Sequence, residues 1–370
     1  MSGHRLPRHR RRLRPRRPLR HPVLVSMVAL GLVAALGTIG SGVAASAAER
    51  HHKKHEQHAL HPRPGGRQNQ QGQRPRASTM TRTPSAAASA APSAATGAVC
   101  GGMTNVKSVN VSHVIWIVLE NRSYNQVMGA PYISSLAARC GVATNYHNIS
   151  HPSLPNYIAM TSGRAMGQLP RTDCGGSVCA VPGPSIFTQT SSWRVFAESM
   201  PGPCVRHDAP PYVVHHTAAP FYTAVRNCSA NDLPLTALNL AALPRFTLIV
   251  PDVRHDMHEN TSSVSAGDRW LRAHLGAILA SRAYRTGSTV VFVTWDEGGM
   301  PRHTRICATN TTDQGCHVAL LVMSPYLRPG TRWTGLANHY SLLQATEHLL
   351  GLPYLGLGAS APSIRAAFRV

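Results

Sequence analysis

Short runs of apolar residues alternate with segments of helical spacing between residues 99 and 370. Four runs have the length and the β-branched content of strands that are buried on both faces. They are HVIWIVL at 113–119, FTLIV at 246–250, STVVFVTW at 288–295 and HVALLVM at 317–323. Apolar residues recur at helical spacing in GDRWLRAHLGAILASRAY and in HYSLLQATEHLLGL. Strands that alternate with helices predict an α/β fold, in which a largely parallel sheet carries helices on both faces.

The first 98 residues differ in composition from the rest of the chain. They hold 17 of the 37 Lys and Arg residues and 2 of the 15 Asp and Glu residues, which leaves 20 basic and 13 acidic residues from residue 99 onward. The formal net charge of +22 therefore belongs mostly to this N-terminal arm. Because the folded part carries little of that charge, we expect it to have no nucleic-acid specificity.

The arm has the order of an export signal. The cationic segment RHRRRLRPRRPLRHP precedes the apolar run VLVSMVALGLVAALGTIGSGV, and Ala45-Ser46-Ala47 then offers a cleavage site of the A-x-A type. We predict a signal peptide over residues 1–47, with an uncleaved membrane anchor as the alternative. Residues 48–97, which are mostly His, Arg, Gln, Pro, Ser and Ala, are predicted to form a disordered basic linker before a folded domain at 98–370.

All eight cysteines follow the arm, and none belongs to a C-x-x-C pair of the zinc-binding type. Cysteines in even number behind an export signal predict four disulfides in an oxidising compartment. We therefore expect a secreted or extracytoplasmic protein. Eight cysteines allow 105 pairings, and the sequence alone does not fix which one forms. We predict pairing in sequence order, which the short loops of the second and fourth pairs support most directly. They are Cys100 with Cys140, Cys174 with Cys179, Cys204 with Cys228, and Cys307 with Cys316.

Polar clusters stand where three of the predicted strands end. Glu120-Asn121 follows the first strand, PDVRHDMHEN at 251–260 follows the second, and Asp296-Glu297 follows the third. A fourth cluster, Asn338-His339, begins the last predicted helix. A single acid at a strand end can simply cap the next helix. In parallel sheets, however, functional residues gather just beyond the carboxyl ends of the strands.

Five of the 13 acids in the folded region belong to these clusters. They are Glu120, Asp252, Asp256, Asp296 and Glu297. Carboxylates that converge repel one another unless protons or a cation neutralise them. Together with His258 and His339 they offer oxygen and nitrogen ligands that suit a divalent transition metal.

A serine stands between two prolines in HNISHPSLPNYIAMTSG at 147–163. Pro152 and Pro155 stiffen the bend around Ser153, and a helix is predicted to make its first turn at Asn156. Such a bend is either a loop with a local hydroxyl turn or the support of a presented nucleophile. The stretch by itself leaves both interpretations open.

Several motifs occur together, in order, over residues 110–356. They are LENRSYNQV, NYHNISHPSLPNYIAMTSG, PDVRHDMH, TWDEGG, SPYLRPGT and NHYSLLQATEHLLGLPYLG. In these motifs the chain resembles the bacterial phosphoesterase family that contains acid phosphatases and phospholipases C. That family is similar in fold to the alkaline phosphatase superfamily, whose members hydrolyse phosphate esters through a metal-bound Ser or Thr. The resemblance implies that residues 98–370 form a phosphoesterase catalytic domain.

The resemblance also implies a role for each matched residue. Ser153 matches the nucleophile, which lies two positions before a Pro-Asn pair, and Asn156 matches a donor to a phosphoryl oxygen. His215-His216 matches a histidine pair that contacts phosphate. The predicted catalytic residues are Ser153, Asn156, His151 and His216. The predicted metal ligands are Glu120, Asn121, Ser153, Asp296, Glu297, Asp252, Asp256, His258 and His339. The chain has Asp-Glu where the wider superfamily has Asp-His, which leaves open whether one or two divalent ions bind.

The expected function is that of an exported, metal-dependent phosphoester hydrolase of the acid phosphatase type that forms a phosphoserine. A phospholipase C or another phosphodiesterase is the alternative, ranked lower because family phospholipases C generally carry extra domains after the core. An inactive envelope-binding module is the non-enzymatic alternative, and the presence of Glu120, Ser153 and the Asp296-Glu297 pair argues against it. The basic arm is expected to hold anionic envelope polymers or lipid headgroups.

Overall fold

The computed structural model describes residues 99–105, 109–299 and 301–370, and the predicted signal peptide and linker lie outside these residues. The strands are β1 His113–Leu119, β2 Gly141–His147, β3 Trp193–Ala197, β4 Asp232–Pro234, β5 Phe246–Val250, β6 Thr289–Trp295, β7 His317–Met323, β8 Thr331–Trp333 and β9 Ala337–Asn338. The helices are α1 Tyr124–Val127, α2 Pro131–Arg139, α3 Ser153–Ser162, α4 Ile186–Gln189, α5 Cys228–Asn231, α6 Val264–Ala280, α7 Arg282–Arg285, α8 His339–Leu349 and α9 Arg365–Phe368. No helix in this described part of the chain is both long enough and apolar enough to cross a membrane.

One sheet runs through the domain in the order β4-β3-β5-β1-β6-β7-β2-β8, and β9 also pairs with β2. Strand β7 is antiparallel to both of its neighbours, whereas the pairings of β5 with β1 and of β1 with β6 are parallel. The four strands predicted from the sequence are present, and β6 begins one residue later than predicted. The predicted α/β class with a largely parallel sheet is confirmed.

The central strands are buried on both faces. Every residue of β6 is buried, and in β1 only His113 is partly exposed. Helix α2 contacts α6, and α3 contacts α8. Helix α8 also contacts the sheet, where Trp116 Nε1 of β1 donates to Thr346 Oγ1 of α8 at 2.9 Å. Each large apolar side chain buried in this way contributes about 1.5–3 kcal/mol. Because neither face meets water, these strands appear in the sequence as continuous apolar runs.

Four disulfides join the cysteines in sequence order, as predicted. The Cys307–Cys316 bond closes the loop between β6 and β7 at its β7 end. Cys307 N also donates to Ile149 O at 3.0 Å, which attaches this loop to the segment before Ser153. Disulfides of this kind persist in oxidising compartments, so the set fits an extracytoplasmic protein.

Candidate active site

The carboxyl ends of β5, β1 and β6 bring three polar clusters to one edge of the sheet. Glu120 N donates to Asp256 O at 2.8 Å, and Asp296 N donates to Leu119 O at 2.9 Å. Asn121 N donates to Asp296 Oδ1 at 3.2 Å. The clusters that follow three separate strands are therefore in direct contact.

Ser153 is the first residue of α3, three residues earlier than the predicted start of that helix at Asn156. The helix can begin there because Pro155 lies in the first turn, where backbone N–H groups have no helical partner. Ser153 Oγ donates to Glu120 Oε2 at 3.1 Å. One turn later, Tyr157 OH donates to Glu120 Oε1 at 2.5 Å. Both oxygens of this carboxylate are thus held by hydroxyls of α3.

The Glu297 carboxylate is the second centre of the site. Its Oε1 accepts from Asn121 Nδ2 at 2.7 Å and lies 3.2 Å from a guanidinium nitrogen of Arg302. Its Oε2 accepts from Asn156 Nδ2 at 3.4 Å. His151 Nδ1 lies 2.9 Å from the same Oε2, within ion-pair distance although not aligned as a hydrogen bond. Residues on both sides of Ser153 are in this way connected to the end of β6.

The Asn156 amide also braces the loop that precedes Ser153. Asn156 Oδ1 accepts from Ile149 N at 2.9 Å and from Ser150 N at 3.0 Å. Its Nδ2 donates to Ser150 O at 2.9 Å and to Pro152 O at 3.1 Å. The structure therefore gives Asn156 a positioning role, and its donation to a phosphoryl oxygen stays a prediction.

His216 lies beside Glu120 at the end of the 3-10 helix Val214–His216, and its ring is stacked on that of Tyr157. Its Nε2 lies 3.2 Å from Glu120 Oε2, and its Nδ1 lies 3.9 Å from Asp256 Oδ2. The ring of His215 meets that of His216 edge-on with centroids 4.6 Å apart. Burial, followed by the charges of His215 and His258, lowers the pKa of His216 well below its ordinary value. His216 is therefore a neutral imidazole beside the carboxylate.

Asp252, a predicted ligand, is engaged outside the cluster. It accepts from Ser199 Oγ at 2.7 Å and from Arg254 Nε at 3.0 Å, and it lies 3.4 Å from His255 Nδ1. Although burial opposes it, hydrogen bonds from Arg254 and Ser199 lower the pKa of Asp252. The charge of Asp252 is already compensated by Arg254.

His339 and His258 differ in how far they are committed to other partners. Both ring nitrogens of His339 have partners, Tyr146 OH at 2.9 Å and Asp296 O at 2.6 Å, so a ligand role would require one of these contacts to break. His258 is partly exposed and donates its backbone N–H to Asp256 Oδ1 at 2.8 Å. The predicted ligand roles of both histidines stay predictions.

Burial and mutual repulsion raise the pKa values of the clustered carboxyl groups. For Glu120 burial comes first, followed by repulsion from Asp296 and Asp256; for Asp296 burial is followed by repulsion from Glu297. Both pKa values lie well above the ordinary range. Burial is also the main cause that raises the pKa of Glu297 to about 8 and that of Asp256 to about 7. Four such groups at one sheet edge are costly without a compensating charge.

Three buried oxygen atoms in the cluster have no hydrogen-bond partner: Asn121 Oδ1, Asp256 Oδ2 and Asp296 Oδ2. Unpaired buried oxygens are rare because each loses its hydration without replacement. Carboxylate and amide oxygens are ligands for divalent cations, and the nitrogen of His216 lies beside them. The residues present therefore fit a divalent cation.

Backbone conformations at two cluster positions are unusual. Asn121 has φ 31° and Met257 has φ 77°, backbone angles that residues other than glycine seldom adopt. Gly267 on α6 accommodates Met257, because a Cβ there would meet Met257 Cγ at 2.3 Å. Such conformations concentrate at functional sites, where the surrounding structure maintains them.

Comparisons with known proteins bear on what this edge of the sheet does. A family model described as "Phosphoesterase family" matches residues 129–353. The chain belongs to this phosphoesterase family. It is 31% identical over 264 residues to a phosphatidylinositol-3-phosphatase of Mycobacterium tuberculosis, a match that covers 68% of this chain and 81% of that protein. The predicted resemblance is confirmed, and the coarse class is that of a hydrolase acting on phosphoric ester bonds.

Two further relatives of this phosphoesterase are fungal. It is 24% identical over 279 residues to an acid phosphatase of Aspergillus fumigatus, covering 69% of this chain and 58% of that protein. It is 25% identical to a phosphate-repressible acid phosphatase of Penicillium chrysogenum, and this match covers 69% of this chain and 62% of that protein. The chain thus spans about three fifths of the length of these two. Among solved structures, a protein of the alkaline phosphatase superfamily from Vibrio parahaemolyticus is similar with a TM-score of 0.47 and 12% identity over 70% of this chain and 72% of that one.

Two residues of the phosphoesterase site were not singled out from the sequence. Tyr157 follows Ser153 at i+4, a spacing that places two side chains on one helix face, and this was the available signal. Arg302 stands in an irregular loop after Glu297, and no local pattern predicted that it would turn back to that carboxylate. The structure brings Glu120, Asn121, His151, Ser153, Asn156, His216, Asp256, Asp296 and Glu297 into one connected cluster.

Proposed function

We propose that this protein is an extracytoplasmic, metal-dependent phosphomonoesterase of the acid phosphatase type, with Ser153 as its nucleophile. The observation that carries the proposal is the contact between Ser153 Oγ and Glu120 Oε2 at the edge where the acidic clusters meet. The activities of the relatives, a phosphatidylinositol-3-phosphatase and two acid phosphatases, support the choice of a phosphate ester as substrate.

Ser153 and Glu120 would share the proton chemistry. Ser153 Oγ forms a bond to phosphorus as the ester P–O bond breaks, and the hydroxyl proton passes to Glu120 Oε2. A water molecule protonates the departing alkoxide, and the resulting hydroxide cleaves the phosphoserine. Glu120 then returns its proton to Ser153 Oγ. Without a bound cation, burial holds the pKa of Glu120 above that of an exposed carboxylate, and Tyr157 keeps its second oxygen in place.

We assign the cation to the oxygen-rich centre of the cluster. Glu120, Asn121, Asp296 and Glu297 would hold it together with Ser153, and the unpaired oxygens described above support this assignment. When bound, a divalent cation supplies positive charge that would stabilise a deprotonated serine and the negative charge on the phosphoryl oxygens. Whether one or two ions bind is left open by the Asp-Glu pair.

Neutral donors would surround the phosphoryl oxygens. His216 faces Glu120 from one side, and His151 faces Glu297 from the other. Burial lowers the pKa of His151 to about 4, so it is a neutral imidazole that can orient an oxygen without carrying a charge. Donors fixed in place before the reaction stabilise the charge that develops in the transition state.

Removal of the nucleophile tests the proposal directly. The full chain should release p-nitrophenol from p-nitrophenyl phosphate, and Ser153→Ala should lower the rate at least about a thousandfold. Ser134→Ala, at an exposed position on α2, is the matched control and should leave the rate unchanged. Full activity of the Ser153 variant would contradict the proposal.

A phosphodiesterase or phospholipase C remains the second candidate, since the same cluster suits either ester. One preparation should be compared on p-nitrophenyl phosphate, bis(p-nitrophenyl) phosphate and phosphatidylcholine. We expect the monoester to have the highest kcat/KM. A clear preference for the lipid or the diester would replace the monoesterase assignment.

A further inference from the structure

A cavity of about 230 Å³ lies beside the loop that presents Ser153, and the chemistry proposed above does not use it. Its lining residues are Ser150, Met166, Leu169, Pro170, Arg171 and Arg305. The wall therefore combines apolar side chains from one segment with two guanidinium groups. Such a combination binds a ligand that has both an apolar part and a negative charge.

The cavity wall is attached to the backbone on both sides of the nucleophile. Arg305 Nε donates to His151 O at 3.1 Å, and a second nitrogen of Arg305 donates to Arg171 O. Asp173 Oδ1 accepts from Leu154 N at 2.9 Å, which holds the segment that carries Arg171 next to the start of α3. The cavity therefore adjoins the loop and the helix start that present Ser153.

The charge of the cavity wall favours an anion. Among the described residues, neither Arg171 nor Arg305 forms an ion pair with a carboxylate. Asp173 is the one acid in residues 164–182, and its Oδ1 accepts a backbone hydrogen bond. A second anionic group of a substrate is therefore favoured beside Arg171.

Burial gives a reason for the substrate to extend toward the surface. Ser153 is only 4% exposed, so a substrate that reaches it must extend its larger part toward the surface. Met166, which is 36% exposed, is one of few large apolar side chains that face solvent in the described residues. It would be covered by the apolar part of a bound substrate.

We propose that this cavity is the leaving-group subsite, and that it accepts the alcohol of a phosphomonoester that joins an apolar body to a second negative charge. The inference rests on the proposed function, because it assigns the part of the substrate that the phosphoryl site does not hold. Arg171 and Arg305 would bind the second anion, and Met166 with Leu169 would contact the apolar body.

Binding of non-hydrolysable phosphonates tests the charge. Isothermal titration of the full chain should show that (4-carboxybenzyl)phosphonate binds about tenfold more tightly than benzylphosphonate, the scale of one favourable charged contact. Arg171→Gln should reduce this ratio to about one. Arg285→Gln removes an equal charge from an exposed position on α7 and should preserve the ratio. A ratio near one in the unaltered protein, or a tenfold ratio that survives in Arg171→Gln, would overturn the subsite.

Hydrolysis kinetics test the apolar contact and separate the two proposals. Met166→Ser should raise the KM for phenyl phosphate about fivefold and leave kcat within about twofold. The reason is that this contact would be made equally in the bound substrate and in the transition state. Val178→Ser, at a position 80% exposed outside the cavity lining, should change neither constant. An unchanged KM in Met166→Ser would contradict the apolar assignment. If no aryl phosphate were hydrolysed while the Arg171-dependent preference persisted, the proposed function would fail and the anion-binding cavity would stand.

Discussion

Ser153 Oγ donates to Glu120 Oε2 at 3.1 Å across 33 residues of sequence. One partner ends a central strand and the other begins a helix, so the contact joins the sheet to the element that presents the hydroxyl. The same carboxylate accepts a second hydroxyl, from Tyr157. Glu120 is therefore oriented from one helix through both of its oxygens.

Tyr157→Phe should lower kcat/KM about tenfold to a hundredfold, because Glu120 would lose the contact that fixes its orientation. The hydrogen bond from Tyr157 also lowers the pKa of Glu120, so its loss should raise that pKa further. The acidic limb of the kcat/KM profile should then move to higher pH. Tyr354→Phe, at a largely exposed position, is the control for loss of a hydroxyl. An unchanged profile in Tyr157→Phe would separate this tyrosine from the proton chemistry.

Chelation should destabilise the protein. A cation that binds only the folded state adds RT ln(1 + [L]/Kd), about 2.7 kcal/mol at a hundredfold excess over Kd. EDTA should therefore lower the Tm, and a divalent ion should restore it. Asp296→Asn combined with Glu297→Gln should abolish this response and raise the Tm of the chelated protein, since the repulsion between the two carboxylates disappears. A Tm that does not respond to EDTA in the unaltered protein would count against the cation.

Stability should fall as pH rises, in part because of Asp232, which lies on the edge strand β4. Burial raises the pKa of Asp232 from 3.8 to about 8. Between these two values the folded state holds a proton that the unfolded state has released, so this group lowers the free energy of unfolding as pH increases, by at most about 1.4 kcal/mol per unit. Asp232→Asn should lose less stability than the parent between pH 5 and pH 8 in urea titrations. Asp208→Asn, half exposed, should behave as the parent does.

Removal of the predicted linker at 48–97, with the predicted export signal at 1–47 left in place, should leave kcat/KM unchanged and reduce retention at the cell surface. The arm holds most of the net positive charge, and salt should weaken its contact with anionic polymers or headgroups. Fractionation of cells that express the full and truncated proteins, washed at low and high salt, measures this. Equal retention of both proteins would assign attachment to the folded domain instead.

The sequence by itself predicted the strands β1, β5, β6 and β7 and the long helices α6 and α8, and it favoured a pairing of the cysteines in sequence order. Continuous apolar runs and helical spacing are local properties, and they marked β1, β5, β6 and β7 because buried strands need apolar side chains on both faces. The motifs also indicated the family, since they occur in order along most of the domain. In addition, the carboxyl ends of parallel strands share an edge, which predicted that Glu120 and Asp296 would approach each other.

Only the tertiary structure decided how the polar groups pair. The order β5-β1-β6 brings Asp256, Glu120 and Asp296 to neighbouring strand ends, an order that the sequence does not contain. Asp252 follows β5 just as Asp256 does, yet Arg254 neutralises it. His339 has both nitrogens bonded, whereas Arg302 turns back from a loop to Glu297. The physical reason is that a hydrogen bond depends on the distance and direction between two side chains, which are fixed by packing of distant segments and not by position along the chain.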